Sequence, residues 1–462
     1  MRYKDISLIL VLSGALALPG LTASSAWAAQ AALPAPASPS GTLKPSAPAQ
    51  SQYTLDAAVR RALDENFSVR ASEANLQAAE NWRKSARGSF GPALGTSYGY
   101  SHMPNDGAAQ MDDEDLYTWR VSLTQDLFSG FATLAAYQRA ALQRDSAEAS
   151  LAKARLDLIL TVQQNFFMYL KAGEDVRSAT DSYNRLAEQL KITKSFYDVG
   201  LRPRLDVLQA EVNVSEAEDT LLRARNMVET QRARLNTLLN IPLEAQPEYV
   251  GDLSFIPFMS TLEQCLEQAY QRRPDIIIAR KAVSIAEQDK TTAASDFYPT
   301  IQGDVTWSTR GNDWTADGSD SRPTNYSEWS VGVTGSMTVF EWGRTYYEVQ
   351  QTSHLIGKVR AEEADLRQEV TYQVQARLLE LDNAAKRIVV ARKGLEQAGE
   401  AYRVALARYK SQVGTSIDVL DAQARLTAAE VSLTGAQADY LSALAAIFAA
   451  IGEENPGLAP GR

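Results

Sequence analysis

Residues 199–212 read VGLRPRLDVLQAEV, and residues 413–426 read VGTSIDVLDAQARL. Asp-Val-Leu-x-Ala therefore occurs twice, 212 residues apart, each time after a glycine and before a long apolar-periodic run. The duplication extends well beyond this motif. Leu55, Ala62, Ala79, Ala86, Phe90 and Pro92 recur as Leu262, Ala269, Ala286, Ala293, Phe297 and Pro299, at a spacing of 207. Val121 and Phe128 recur as Val333 and Phe340, now at 212, and Tyr197, Asp206, Val207, Leu208 and Ala210 recur as Tyr409, Asp418, Val419, Leu420 and Ala422. The net five-residue insertion falls between Pro299 and Val333 and belongs in a loop.

Both copies carry the same elements in the same order. A helical stretch (54–88; 260–296) ends at a proline two residues after an aromatic. Two alternating segments follow, and then a very long helical pattern (130–198; 344–411). A glycine-containing break leads into a second long helix (206–239; 418–451). The alternating segments read as strands over 92–103, 116–128, 299–310 and 327–340. In TWRVSLTQDL (118–127), Trp119, Val121, Leu123 and Leu127 oppose Arg120, Ser122, Thr124 and Asp126. In WSVGVTGSMTV (329–339), Trp329, Val331, Val333, Met337 and Val339 take the apolar side. Tyr98, Tyr100, Val305 and Trp307 do so in the partner segments. Period-two patterning means one dry and one wet face. Runs of about 9–11 residues with Trp and Tyr near their ends match transmembrane β-strands. The intervening loops, PNDGAAQMDDED and GNDWTADGSDSRPTN, are long and acidic, as extracellular loops are. Soluble hairpins packed on helices are the alternative. Four strands cannot close a barrel, since the smallest membrane barrels need about eight. Strands in lipid would therefore have to be pooled between chains, and three chains would supply twelve.

The helix after each motif carries a coiled-coil seam with 3,4 spacing. Val207, Ala210, Val214, Ala217, Leu221, Ala224 and Val228 form it in copy one; Val419, Ala422, Leu426, Ala429, Leu433, Ala436, Tyr440, Ala443 and Ile447 form it in copy two. Each helix–break–helix unit reads as an antiparallel hairpin reaching roughly 100 Å from the strands, with Asp-Val-Leu at its tip. Gly200 supplies the positive φ that ends a helix. Asp206 and Asp418 open the next helix, where a carboxylate satisfies free N–H groups. Asp421 lies one turn inside, at i,i+3 from Asp418, and its counterpart is the neutral Gln209. In a symmetric oligomer Asp418 and Asp421 become a ring of six carboxylates, able to select cations or to bind divalent ions.

The first residues address the chain. Arg2 and Lys4 precede an apolar run, Ile6 to Leu21, and Ala26-Trp27-Ala28 offers a cleavage site, so residues 1–29 read as a secretory signal peptide. Residues 30–52, rich in Pro, Ala and Ser, read as a flexible tether. The first repeat then spans 53–250, the second 251–452, and a tail 453–462. The one cysteine, Cys265, excludes an internal disulfide and an N-terminal lipid anchor. A net charge of −10 argues against nucleic acid as a partner. His102, placed in a loop, and His354, alone on a helix, belong to no catalytic or metal-binding set, so neither an enzyme nor a cofactor is expected. Cys265 reads as a core residue of a helix face. A pore-less periplasmic coiled-coil scaffold is the competing non-enzyme reading.

These residues carry a resemblance that covers nearly all of the chain after the signal. The twofold repeat, Phe-x-Pro before each strand pair, the junctions LTQDLFSG and MTVFEWGR, and Tyr-x8-Asp-Val-Leu at both tips resemble the outer-membrane efflux factors of the TolC family. The resemblance implies a mainly α protein with a small β part. Four strands per chain would be pooled by a homotrimer into a twelve-stranded β-barrel in outer-membrane lipid, above an α-helical periplasmic tunnel. It implies an exit duct for efflux or type I secretion, docked on a periplasmic adaptor and an inner-membrane transporter of the RND or ABC type. It matches Asp418 and Asp421 to an acidic constriction, Tyr409 to a tip tyrosine that holds the gate closed, and Asp206 to the acidic partner on the neighbouring hairpin. Val199, Gly200, Leu201, Val413, Gly414 and Thr415 match adaptor-contact motifs. Copy two departs from the pattern: Gln412 stands opposite Gly200, and Gly414 replaces an arginine. The basic partner of the gate is then Arg202 or Arg204, or is missing.

Overall fold

The two repeats fold on one plan, and the correspondence extends to individual backbone rungs. This computed structural model describes residues 52–103, 114–316 and 326–458, all within one unit, Pro48–Arg462. The signal peptide, the tether up to residue 51, most of both interstrand loops and residues 459–462 lie outside the described residues.

Copy one runs β1 (Gln52–Tyr53), α1 (Leu55–Glu65), α2 (Phe67–Gly88), β2 (Ala93–Met103), β3 (Glu114–Ser129), α3 (Ala132–Asp198) and α4 (Arg204–Leu238). Copy two runs β4 (Glu248–Tyr249), α5 (Leu262–Arg272), α6 (Pro274–Ala294), β5 (Thr300–Gly311), β6 (Tyr326–Ser336), α7 (Arg344–Lys410) and α8 (Ser416–Ala450). The long helices α3 and α7 each hold 67 residues, and α4 and α8 each hold 35. At 1.5 Å per residue the longer pair reaches about 100 Å.

The first helical stretch of each copy, expected as one helix, is broken in two. Asn66 ends α1 and begins α2 with ψ 133°, its side chain accepting the Ser68 N–H. Arg273, with ψ 124° and no side-chain cap, likewise ends α5 and begins α6, ahead of Pro274. The reason lies in tertiary contacts. Asn66 Nδ2 donates to the carbonyl of Leu238 at 3.0 Å, and Arg273 Nη1 to that of Ala450 at 3.3 Å. Leu238 and Ala450 are the last residues of α4 and α8. Each break thus supplies a donor to orphan carbonyls at a helix C-terminus.

Four strands form one antiparallel sheet in the order β2-β3-β5-β6, leaving β2 and β6 as open edges. Cross-strand register puts Leu94, Tyr98, Tyr100, Trp119, Leu123, Val305, Trp307, Trp329, Val331 and Val333 on one face. All ten are exposed, Trp329 by 74%. Ser97, Arg120, Ser122, Thr306, Ser308 and Ser330 take the other face. The alternation foreseen in the sequence is therefore present, and the apolar side has no cover among the described residues. Two details differ from expectation. His102 lies in β2, 3.0 Å from Asp115, and not in a loop. β6 stops at Ser336 and not at residue 340, because its partner β5 begins at Thr300, straight after Pro299, and offers no further rung.

Buried apolar side chains gather midway along α3 and α7. Ile159, Val162 and Phe166 of α3 and Val370 and Val374 of α7 join Ile447 and Ile451, with α1 and α5 alongside. The parallel pair β1–β4 stacks Tyr53 on Tyr249 there, at 5.9 Å between ring centroids. Cys265 is fully buried in this core, and burial pushes its thiol up from the ordinary value. The strand-to-helix junctions are tight. Gly130 and Phe131 both take positive φ, as do their counterparts Trp342 and Gly343. A Cβ on Gly130 would sit 2.4 Å from the carbonyl oxygen of Ser295.

Candidate functional site: the paired hairpin tips

Both tips are built by the same backbone device. At the end of α3 the N–H of Leu201 donates to the Phe196 carbonyl at 2.8 Å, and Gly200 takes φ +77°. At the end of α7 the N–H of Val413 donates to the Arg408 carbonyl at 3.0 Å, and Gln412 takes φ +61°. These are six-to-one helix terminations that need a left-handed residue. Glycine adopts that conformation freely, whereas a residue with a Cβ loses about 1–2 kcal/mol. Gln412→Gly is therefore expected to stabilise the second tip by up to about 1 kcal/mol, after allowance for the greater freedom of the unfolded chain. Slower amide exchange at Gln412 and Val413, with no change at Gly200, checks this.

The outgoing helices start two residues earlier than expected, at Arg204 and Ser416, so Asp206 and Asp418 sit in the third helical position. Asp418 forms a reciprocal cap with Thr415: the Asp418 N–H donates to Thr415 Oγ1 at 3.2 Å, and the Thr415 N–H donates to Asp418 Oδ2 at 3.0 Å. These bonds, the backbone one foremost, hold the Asp418 carboxyl below its usual range. The cap is thus at full strength at neutral pH and is lost as pH falls through that lowered value. Asp421 is exposed and pairs with Arg425 at 3.0 Å along its own helix. Neither carboxylate is bonded to the other.

Tyr409 is the buried centre of the tips, with no exposed surface. Its hydroxyl lies 3.1 Å from Thr193 Oγ1. Thr193 donates its own proton to the Gln189 carbonyl at 2.9 Å, so Tyr409 is the donor in the pair. Phe196 packs at 5.7 Å between ring centroids. Arg202 then closes the assembly. Its guanidinium lies 5.4 Å over the Tyr409 ring, Nη2 donates to the Gly414 carbonyl at 3.0 Å, and Nη1 stands 3.8 Å from Asp206. Tyr409 and Gly414 belong to the second hairpin, and Thr193, Arg202 and Asp206 to the first. The structure thus brings Tyr409, Arg202, Asp206 and Gly414 together and bolts two tips of one chain to each other. Asp206 faces Arg202, and the tyrosine hydroxyl goes to Thr193. Arg204 is exposed and makes no ion pair among the described residues. Gly200, Val199, Leu201, Val413 and Thr415 are exposed at the tip, while Gly414 is buried.

Thr193 and Phe196 escape a reading of the sequence. Their only signal is the repeat, and there it misleads, because the counterpart of Thr193 is Ala405. The same comparison exposes an asymmetry. Arg202 corresponds to Gly414, and Tyr409 to Tyr197, which is 43% exposed. Further down the hairpins a groove of about 840 Å³ runs between α3, α4 and α8, lined in part by Ala179, Ala217, Ala224 and Gln423. Among the described residues there is no cluster of His, Cys, Asp and Glu able to hold a metal ion. None of their helices is long and apolar enough to cross a membrane.

The doubled hairpin joined to a two-edged sheet has counterparts among known proteins. The sequence profile of the outer membrane efflux protein family matches residues 58–240 and 265–453, one block per repeat. The chain belongs to this family. Outer membrane efflux protein BepC of Brucella suis biovar 1 (strain 1330) is 26% identical over 403 residues, covering 86% of this chain and 85% of BepC. The alkaline protease secretion protein AprF of Pseudomonas aeruginosa is 22% identical over 396 residues, covering 83% of this chain and 81% of AprF. The crystal structure of the outer membrane protein VceC from Vibrio cholerae shares the fold, with a TM-score of 0.75 at 18% identity, covering 86% of this chain and 96% of VceC. As a member of the family the chain is an outer-membrane efflux or secretion channel, and the scaffold without a pore is set aside. Its place is the outer membrane of a Gram-negative bacterium, with the helices in the periplasm.

Proposed function

We propose that three copies of the chain form a passive exit duct whose periplasmic end is shut by the hairpin tips. The observation that carries this is the four-stranded sheet with both edges open and one uncovered apolar face. An open edge in lipid leaves backbone groups unsatisfied at several kcal/mol each, and three such sheets supply the twelve strands of a barrel. The helices support the same reading. Within the chain α8 packs extensively on both α7 and α3, whereas its counterpart α4 packs extensively on α3 alone, and Leu208, Val212, Leu222 and Met227 are exposed. A second copy would cover them.

In this duct the chain makes and breaks no covalent bond, and energy comes from its partners. The exposed tips around Val199, Gly200, Leu201, Val413 and Thr415 meet a periplasmic adaptor, which links the duct to an inner-membrane transporter of the RND or ABC type. A photo-crosslinker at Leu201 in intact cells tests this. Captured adaptor and RND transporter would indicate small-molecule efflux, and captured ABC transporter would indicate protein or ABC-driven export. Capture of neither would count against the docking role.

At the constriction Asp418 and Asp421 form the six-carboxylate ring. Asp421 is the freer of the two, since Asp418 is engaged as a cap. The Asp418→Ala, Asp421→Ala double variant is expected to lose divalent-cation block in single-channel recordings, by about tenfold or more in blocking concentration. Asp421→Ala alone should account for most of the loss. Unchanged block would sink the ring.

Repeat symmetry also says where the closed tips are weak. Across the seam between copies, Tyr197 would stand where Tyr409 does, facing Ala405 and Gly414 in place of Thr193 and Arg202. That seam has neither the hydroxyl acceptor nor the guanidinium. The two hairpins of one chain are latched, and neighbouring chains are not.

A further inference from the structure

The groove between the two hairpins has acceptors to spare and no free donor to answer them. α4 and α8 both lie on α3 and leave a cleft of about 840 Å³ between them. Its floor is α3, at Asp175, Ala179, Ser182 and Leu186. Ala217 and Ala224 line it from α4, and Ala424 and Ala428 from α8. Small side chains are what leave it open.

The polar groups of the lining are unbalanced. Gln423 is 3% exposed. Its Nε2 donates to Thr427 Oγ1 at 3.1 Å and to Ser182 Oγ at 3.4 Å, two further lining residues, and its Oε1 has no partner among the described residues. Asp175 accepts from Lys171 Nζ at 2.6 Å through Oδ2, while its Oδ1 is buried and has no partner. Glu216, also in the lining, is exposed and makes no ion pair among the described residues. Arg223, the basic residue of the lining, is taken by Asp219 of its own helix. Buried acceptors nearly always have a donor, and leaving one without is destabilising. Two such acceptors in one groove call for a ligand that donates.

We propose that the groove binds an amphipathic organic cation, one per chain, and that the bound ligand holds the two hairpins together. Its N–H groups would answer Gln423 Oε1 and Asp175 Oδ1, and its charge would meet Asp175 and Glu216. Its apolar body would lie on the alanines, Met227 and Val431. The volume is that of a pocket for a drug-sized molecule. A helix laid along the same length, about 21 Å by 10 Å, would need roughly 1,600 Å³, about twice the room. The repeat shows that the feature is singular. Asp175, Glu216 and Gln423 correspond to Arg387, Ala428 and Glu211, so the matching cleft of the other repeat has an arginine on its floor. A neighbouring copy would not fill the groove either. α8 lies between α7 and α3, so by the repeat α4 lies between α3 and a neighbour's α7, on the side away from the cleft. Because α4 belongs to the first hairpin and α8 to the second, a ligand touching both walls favours whichever state keeps them at this separation. That state is the latched one.

The site itself needs only one chain, whereas the braking rests on the reading of the protein as a duct shut at its tips. The test separates them. The full-length protein is placed in lipid nanodiscs, in the Asp418→Ala, Asp421→Ala background so that the tip carboxylates do not compete. The probe is proflavine, a flat aromatic cation that carries its charge on N–H groups, and empty nanodiscs give the background. One saturable site per chain is expected. Asp175→Asn keeps the bond to Lys171 and should weaken binding about tenfold, and Gln423→Leu about fivefold. Ala428→Phe, at an exposed lining position, should abolish it by filling the groove. Fluorescein, a flat anion, should bind at least about tenfold more weakly. No saturable site, equal binding of fluorescein, or undiminished binding in Ala428→Phe would overturn the cation site. Cross-linking of a periplasmic protein from Ala428 in cells, with no proflavine site, would overturn it in favour of a helix. In channel recordings of the same background, proflavine at saturation should lower the open fraction about tenfold, and Ala428→Phe should remove the effect. Binding with unchanged openings overturns the braking and leaves the site. Absence of any conductance brings down the duct reading, and the binding result stands apart from it.

Discussion

Arg202→Ala is expected to give a duct that stands open far more of the time than the parent. The side chain makes three contacts within the tips: a charged hydrogen bond to the Gly414 carbonyl, a cation–π contact with Tyr409, and a 3.8 Å approach to Asp206. The first contributes about 1.5–3 kcal/mol and the second about 0.5–1 kcal/mol where the guanidinium keeps some contact with solvent. The third is long and partly solvated and adds little. If the latch exists only in the closed state, its loss shifts each chain toward open by about 2–4 kcal/mol, or roughly 30- to 1,000-fold in equilibrium constant. Single-channel recording should show larger, longer openings. Arg202→Lys should fall between, because an ammonium keeps the charge but not the planar stack. Tyr409→Phe removes only the bond to Thr193 and should cost about 1 kcal/mol. Closed-state conductance unaltered in Arg202→Ala would mean that the contact joins the tips without controlling them.

Gly130→Ala is expected to be the most damaging glycine-to-alanine substitution among the described residues. Gly130 has φ +61°, which costs an alanine about 1–2 kcal/mol. The added Cβ would also lie 2.4 Å from a backbone oxygen, that of Ser295, in the short turn before β5. Backbone cannot swing aside as a side-chain end can, so overpacking adds about 1–3 kcal/mol. The sum, roughly 2–5 kcal/mol, is a large share of the roughly 5–15 kcal/mol by which folded domains are stable. Folded yield in the membrane fraction should collapse. Gly343→Ala is the control: its φ is +80°, but its nearest neighbour is the movable ring of Tyr347 at 3.4 Å. It should cost only the conformational part and keep most of the yield. Trp342, the counterpart of Gly130, shows why the overlap decides the matter. It holds φ +57° with a full side chain because that side chain stands in the open.

Both predictions rest on places where the two repeats differ, and those are the places a reader of the sequence sees least well. Matching residues at two constant offsets are enough to find the repeat, the seams and the lengths of the helices. Val207, Ala210, Leu221, Val419, Ala422 and Leu426 are buried where the 3,4 spacing placed them. The alternating strands were legible for the same reason, since side-chain direction follows position in the chain. The break at Asn66 was not, because nothing local demands it; it follows from the carbonyl of Leu238, 172 residues away. The left-handed conformation of Gln412 is not legible either, since glutamine rarely adopts it. Thr193 was hidden because its counterpart is Ala405, and comparing repeats finds only what both copies keep.

The sequence by itself determined the periodic part of the molecule: two copies, helices of a given length, strands with one apolar face, and a turn at each tip. Periodicity is a local property, set by 3.6 residues per helical turn and two per strand repeat. Only the tertiary structure decided which side chain of one copy answers which of the other. Arg202 lies 212 residues from the carbonyl it binds, and Tyr409 lies 216 residues from Thr193. Such pairs depend on how two hairpins settle against each other, to within the length of a hydrogen bond, and no spacing along the chain encodes that distance.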